Sequence, residues 1–255
     1  MQWHSGLRTV QRVCRRRTGN NELKMQSRVL AIGDIHGCRA ALETLAELVP
    51  FRGTDCLIGL GDYVDRGPDS AAVLAWLIDR QESGQLVALR GNHELMMLDA
   101  ARNPVARDGW ESVGGRETLE SYQRYGNSNG PLGVPEAHWR FLNDQTLPYY
   151  ETTTHLFVHA NALPEIPISQ QPDAMLYWER WNCPPRHMSG KILVCGHSGL
   201  RSGRPAGNAD SICIDTAVYR NSGWLTCLDV DSGEYWQANQ QRAFRTGWIA
   251  DCEFP

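Results

Sequence analysis

Nowhere in this 255-residue chain does an apolar run reach the roughly 18 residues of a membrane-spanning helix, so a soluble protein is expected. No C-x-x-C pair occurs among the eight cysteines, which removes the usual thiolate metal motif. Internal repeats and low-complexity blocks are also missing, which argues against a solenoid or a fibre. Several cysteines lie inside apolar runs (ILVCG, SICID, WLTCLD), so buried free thiols in a reducing compartment are expected, and with them a cytoplasmic location. What remains is a globular composition, 42% apolar and 21% charged with a net charge of −4, enough to bury a sizeable core. The N-terminus differs from the rest in charge. Residues 1–24 set Arg8, Arg12, Arg15, Arg16, Arg17 and Lys24 against Glu22 alone, and read as a basic, unstructured extension. Residues 25–255 then form a single domain.

Beyond Met25 short apolar runs alternate with helical stretches. Strands are predicted at 28–32, 56–60, 86–90, 155–159, 191–195, 211–215, 224–230 and 234–238. Apolar spacing of three and four predicts helices over 39–49 and 70–81. Strand, helix, strand in that order implies parallel pairing through crossovers. The last three strands are separated by turns such as Asn221-Ser222-Gly223 and Asp231-Ser232-Gly233, which suit antiparallel hairpins. Residues 99–150 read as helices broken by a loop at 126–135, with 109–122 placed to cover one sheet edge.

Five apolar runs end alike. VLAI runs into Gly33-Asp34-Ile35-His36, LIGL into Gly61-Asp62, and LVALR into Gly91-Asn92-His93-Glu94. LFV meets His159, and ILVC meets Gly196-His197. The carboxyl ends of strands in an open α/β sheet gather on one edge, where such folds bind ligands. Taken singly these are turn glycines, helix caps and core histidines. Together they bring Asp34, His36, Asp62, Asn92, His159 and His197 to one place. Oxygen and imidazole donors without thiolate suit Mn, Fe, Zn, Co or Ni. Six donors exceed the needs of one ion with an open position. Two divalent ions sharing a carboxylate, about 3.5–4 Å apart, fit better and suit in-line displacement at phosphorus.

GDIHG, GDYVDRG, RGNHE, the later His159 and the GH at 196–197 resemble the phosphoprotein phosphatase family within the calcineurin-like metallophosphoesterases, nearest to its small bacterial and phage members. The likeness runs from about Val29 to Thr226. It implies an α/β fold, a mixed-sheet sandwich of two β-sheets flanked by helices, with a helical cap-like insertion. Asp34, His36 and Asp62 would hold one metal, and Asp62, Asn92, His159 and His197 the other, manganese being the first choice. His93 would protonate the leaving group, with Asp65 orienting it, while a water activated between the ions attacks phosphorus directly. Arg66 and Arg90 would grip the phosphate. Trp178-Glu179-Arg180 resembles the phage-type W-x-R segment and makes Arg180 a third phosphate ligand, with Arg186 as its rival.

The resemblance implies an enzyme, a monomer acting on phosphorylated protein at serine or threonine. Members that split phosphodiesters end in G-H-x-H, whereas Gly199 stands at the second histidine here. The alternative is symmetrical hydrolysis of diadenosine tetraphosphate or of a related nucleotide or RNA-cap pyrophosphate. Those relatives share GDIHGC, but typically read GNHD for GNHE and lack the Asp65 carboxylate. A non-catalytic phosphopeptide-binding module would need a broken donor set, and every donor is present.

Overall fold

The computed structural model describes residues 27–126 and 130–252. The basic segment 1–24 and residues 127–129 of the expected loop lie outside those described. The first half alternates as expected: β1 (Val29–Ile32), α1 (Arg39–Leu48), β2 (Cys56–Gly59), α2 (Ser70–Glu82), β3 (Leu86–Ala88) and α3 (Asn92–Ala100). β1 pairs parallel with β2, and β2 with β3. The helical insertion follows as α4 (Pro104–Trp110), a π-helical turn at Glu111–Gly115, α5 (Arg116–Arg124), α6 (Glu136–Arg140) and a second π turn at Phe141–Gln145. After it come β4 (Tyr149–Glu151), β5 (His155–Val158), α7 (Asp173–Tyr177) and β6 (Ile192–Cys195). β7 (Ala206–Gly207), β8 (Ser211–Cys213), β9 (Leu225–Asp229), β10 (Glu234–Ala238) and β11 (Phe244–Trp248) complete the series.

Two mixed sheets result, one ordered β11-β10-β9-β1-β2-β3 and the other β4-β5-β6-β8-β7. Their inner faces meet through Ala31, Ile58 and Val87 on one side and Phe157, Val194 and Ile212 on the other. The alternate residues Leu30, Ile32, Leu57, Leu86 and Ala88 point outward, onto Leu42 and Leu45 of α1 and Leu74 and Leu77 of α2. On the far sheet Leu156, Val158 and Leu193 point outward beneath Leu176, Tyr177 and Trp181. Strands covered on both faces need unbroken apolar runs, which is why they were conspicuous in the sequence. Each fully buried Leu, Ile or Phe contributes about 1.5–3 kcal/mol. The insertion is not a detached cap: Trp110, Tyr122, Trp139, Phe141 and Leu142 join the core under the first sheet.

Two expectations need correcting. β8 and β9 do not form a hairpin. β8 pairs with β6 and β7, whereas β9 pairs with β1 and β10 in the other sheet. The stretch between them crosses from sheet to sheet, held by the Asp215 carboxylate on the Gly199 and Ala217 N–H groups and by a 2.7 Å contact between the Thr216 and Thr226 hydroxyls. The Asp231–Gly233 turn does join an antiparallel pair, β9 and β10. Cys38, Cys183, Cys195, Cys213, Cys227 and Cys252 are free thiols, but Cys56 is disulfide-bonded at the start of β2, where the chain enters the sheet from a surface loop. Among the described residues no helix is long and apolar enough to cross a membrane.

Candidate metal centre

Each donor sits just past a strand. Asp34 and His36 follow β1, Asp62 follows β2 and Asn92 follows β3, while His159 follows β5 and His197 follows β6. Asn92 is the first residue of α3 and makes no cap hydrogen bond. Its Oδ1 instead lies 3.0 Å from His159 Nε2 and 3.0 Å from His197 Nδ1. The turns are sharp enough to force left-handed backbone on side-chain-bearing residues: φ is +45° at His36, +51° at Asp62, +74° at Asp65, +68° at Arg66 and +65° at His197. Such strain costs of order 1 kcal/mol or more per residue and persists where the surroundings over-determine it. The glycines admit close approach. A Cβ at Gly196 would collide with the Asp34 carboxylate, and one at Gly91 with that of Asp62.

Two clusters of mutually close donors emerge, His36 with Asp62 and His93, and Asp62 with His159 and His197. Asp62 is common to both. His36 Nε2 stands 3.6 Å from Asp62 Oδ2, and His159 Nε2 stands 3.4 Å from Asp62 Oδ1. The other ring nitrogens fix the tautomers. His36 Nδ1 donates to Val64 O and His159 Nδ1 to Leu60 O, both at 2.9 Å, while His197 Nε2 donates to Trp178 O at 3.1 Å. Each imidazole therefore turns a lone pair toward carboxylate or amide oxygen, an arrangement of facing acceptors that a cation satisfies. Asp34 falls outside both clusters because its two oxygens each accept from His197 N at 3.1 Å, which ties β1 to the loop after β6.

Electrostatics separates the histidines by role. Burial holds His36 well below the usual imidazole range, and burial with His159 alongside lowers His197 to about 4. Both are thus neutral, as ligation requires. Burial opposes the charged form of His93 too, but Asp62 and the Asp65 hydrogen bond outweigh it and raise its pKa. Burial likewise disfavours ionised Asp62, yet His159, His93 and His36 pull it below the usual carboxylate range. Asp34 is pushed well above that range by burial, Asp215 and Asp62. A site this rich in buried carboxylate calls for positive charge. The donor set fits divalent metal: Asp62, His159, His197 and Asn92 would hold one ion, and His36 and Asp62, with Asp34 turned from His197, the other.

His93 Nδ1 lies 2.7 Å from Asp65 Oδ2. Sequence reasoning found this pair but not what holds it. Trp110 Nε1 donates to Asp65 Oδ2 at 2.8 Å and Thr118 Oγ1 to Asp65 Oδ1 at 2.7 Å, both from the insertion. Gly114, at φ +124°, lets the π turn press on Arg66 and accept its N–H. The only sequence signal for these contacts was the expectation that 109–122 lies over this edge. Glu94 was also missed. Its buried carboxylate accepts from the N–H groups of Asp62, Tyr63, Val64 and Gly91, holding two donor loops with one side chain.

The arginines divide. Arg66 Nη1 reaches 3.0 Å from His36 Nε2, inside the centre, and its guanidinium lies 4.5 Å over the Tyr219 ring. Arg90 is tethered. Its Nε donates to Thr146 Oγ1 and its Nη2 to Leu142 O and Asn143 O. Arg180 is exposed on a segment bound to the centre, its carbonyl accepting from Asn161 Nδ2. Arg186 bonds Asp210, Ala209 and Gly190, ahead of β6 and β8, at the opposite ends of those strands from His197.

Residues 27–225 match the family model described as calcineurin-like phosphoesterase. A symmetrical bis(5'-nucleosyl)-tetraphosphatase of Ralstonia nicotianae is 35% identical over 139 residues, 53% of this chain and 42% of that one. Serine/threonine-protein phosphatase 1 of Salmonella typhimurium is 44% identical over 80 residues, 31% of this chain and 35% of that one. The matched stretch spans less than half the length of these two relatives. Among solved structures, a candidate diadenosine tetraphosphatase superposes with a TM-score of 0.58 at 20% identity, over 89% of this chain and 96% of that one, which speaks to fold. With the match to the family model extending from before β1 to the start of β9, the chain belongs to the calcineurin-like phosphoesterases.

Proposed function

We propose that the protein is a metal-dependent phosphoesterase that hydrolyses dinucleoside polyphosphates of the diadenosine tetraphosphate type, releasing two nucleoside diphosphates. The observation that carries the hydrolase reading is the gathering of Asp62, Asn92, His159 and His197, with His36 and Asp34, around one shared carboxylate. The choice of substrate leans on the relatives, where longer matches fall on symmetrical tetraphosphatases and the phosphatase match is confined to 80 residues. In GNHE, where dinucleotide hydrolases typically have GNHD, Glu94 favours a phosphoprotein by resemblance alone. Its oxygens bind backbone N–H groups, so that residue speaks for loop support and not for substrate.

When bound, the ions supply charge that stabilises the phosphoryl oxygens and lower the pKa of water. The chain's own residues do the rest. Arg66 presents a forked guanidinium at the centre, matched to phosphate oxygens. Arg90 offers Nη1, and Arg180 stands exposed at the rim. His93, kept charged by Asp62 and Asp65, donates a proton from Nε2 to the departing oxygen while Nδ1–H stays on Asp65.

A serine or threonine phosphoprotein is the second reading, and the 2.7 Å His93–Asp65 contact favours it, because an alkoxide needs an acid more than a nucleoside diphosphate does. With manganese added, diadenosine tetraphosphate should yield ADP alone, resolved by chromatography. ATP with AMP, or turnover of a phosphoserine peptide without turnover of the dinucleotide, would replace the first reading with another.

A further inference from the structure

The stretches that follow His197 and Asp215 enclose a second feature on the metal edge. Leu200, Arg201, Thr216, Ala217, Arg220 and Ser222 line a cleft of about 260 Å³. Its floor is tied to the centre by backbone, with Leu200 N on Asp215 O and Gly199 N on the Asp215 carboxylate. Trp224 N bonds Thr216 O, which closes the cleft beside the first residues of β9. Because β9 runs antiparallel to β1, its start lies at the same edge as the donors after Ile32.

The lining carries two guanidiniums and no carboxylate, on a chain whose net charge is −4. Neither Arg201 nor Arg220 takes part in any ion pair or side-chain hydrogen bond among the described residues, whereas Arg28, Arg39, Arg107, Arg186 and Arg242 all pair with acids. Tyr219 links the cleft to the chemistry. Its ring stands edge-on to His36 at 5.1 Å, with Arg66 4.5 Å and Arg220 5.6 Å from its centre. Those two guanidiniums can be no farther apart than the sum of the last two distances, the span of a short polyphosphate chain. The cleft is smaller than the ~300 Å³ at which sites for whole drug-sized ligands begin, and its walls are about half polar. Forked, permanently charged donors in such a space suit phosphate groups and not a base or an apolar side chain.

We infer that the Arg201–Arg220 cleft binds the non-reacting phosphates of a polyphosphate substrate, holding the distal end while the near phosphorus sits at the metal edge. This rests on the proposed reading of the substrate as a polyphosphate, and it adds a specificity site separate from the metal-binding residues. It requires that substrates with and without distal phosphates respond differently to loss of the arginines.

The test uses the manganese-loaded full chain and the double variant R201A/R220A, with R201K/R220K as a check that charge alone restores part of the effect. Wild type and variants are assayed on p-nitrophenyl phosphate, with inorganic tripolyphosphate and orthophosphate as inhibitors, and separately on diadenosine tetraphosphate. The expected result is unchanged kcat/KM on p-nitrophenyl phosphate and unchanged inhibition by orthophosphate. Inhibition by tripolyphosphate weakens tenfold or more, and KM for the dinucleotide rises by a similar factor. Equal losses for orthophosphate and tripolyphosphate, or no loss for either, would overturn the assignment. A wild type that never cleaves the dinucleotide defeats the proposed function, and the tripolyphosphate comparison still decides the cleft.

Discussion

At the scale of single residues, four histidines crowd one carboxylate and only their surroundings tell them apart. His36 and His159 give Nδ1 to a backbone carbonyl and turn Nε2 toward Asp62. His93 gives Nδ1 to a carboxylate, which favours its charged form and suits the proposed acid. His93→Asn should therefore keep the metal content of the purified enzyme while kcat falls about 10²-fold or more. Loss of metal in that variant would make His93 a ligand and leave the acid unidentified. Glu94 poses the opposite case, a buried group with no substrate role. Burial and Asp62 push its pKa up to about 7, against four N–H donors that favour the charged form. Glu94→Gln replaces one acceptor oxygen by a donor facing N–H groups, which should lower stability by ~2–3 kcal/mol in denaturant unfolding. A variant as stable as the parent would mean that water satisfies those donors. The Gly-Asp and Gly-Asn-His strings were legible in the sequence because each donor lies within four residues of its strand end. Glu94, three residues beyond its Gly91 partner, resembled an ordinary helix residue, and nothing local announces a carboxylate that binds a loop 32 positions away.

Elements carry the next level. Expected helices at 39–49 and 70–81 stand at Arg39–Leu48 and Ser70–Glu82, because apolar spacing and burial agree there. The strands that escaped notice, β4, β7 and β11, lie at sheet edges, and β4 and β7 are only three and two residues long. A pairing made by so few residues leaves almost no pattern. The insertion is expected from the sequence as helical but not as a support for Asp65, since Trp110 and Thr118 lie 45 and 53 positions from it. Trp110→Phe keeps an aromatic ring but loses the pyrrole ring with its N–H, so kcat should fall roughly tenfold, the value of one hydrogen bond to a charged group, with metal content unchanged. An unaltered kcat would reduce Trp110 to packing. Within the insertion, Tyr122 of α5 contacts His138 of α6 at 2.8 Å, and burial lowers the imidazole to about 4. The folded state thus resists a proton that the unfolded chain accepts near pH 6.5. Stability from this group is complete above that value and is lost as pH falls toward 4, by about 2 kcal/mol after allowance for partial solvent contact. His138→Phe should flatten the melting temperature over that interval relative to wild type. Parallel curves for the two proteins would locate the acid sensitivity elsewhere.

For the molecule as a whole, the centre is the place where the two sheets are joined at one edge. Asp34, His36, Asp62 and Asn92 follow β1, β2 and β3 of one sheet, whereas His159 and His197 follow β5 and β6 of the other. Apolar contacts hold the inner faces together elsewhere, but at this edge polar donors and buried carboxylates confront one another. Asp34, Asp62 and Asp215 lie within each other's field, and burial with its two neighbours raises Asp34 well above the usual carboxylate range. Without cations that crowding opposes closure of the sandwich, and with them the same groups become cross-links between sheets. A ligand that binds only the folded state adds RT ln(1 + [L]/Kd), about 2.7 kcal/mol at a hundredfold excess over Kd. A domain of this size gains ~2–4 °C per kcal/mol. Manganese should therefore raise the melting temperature by roughly 5–10 °C over chelator-treated protein. Asp62→Asn removes the one carboxylate shared by both donor clusters. In chelator its melting temperature should be lower than that of the wild type, because His159, His93 and His36 favour the ionised carboxylate and lose it as a partner. It should also be nearly indifferent to manganese. A variant that still gains the full increment from the metal would show that the sheets are bridged without Asp62.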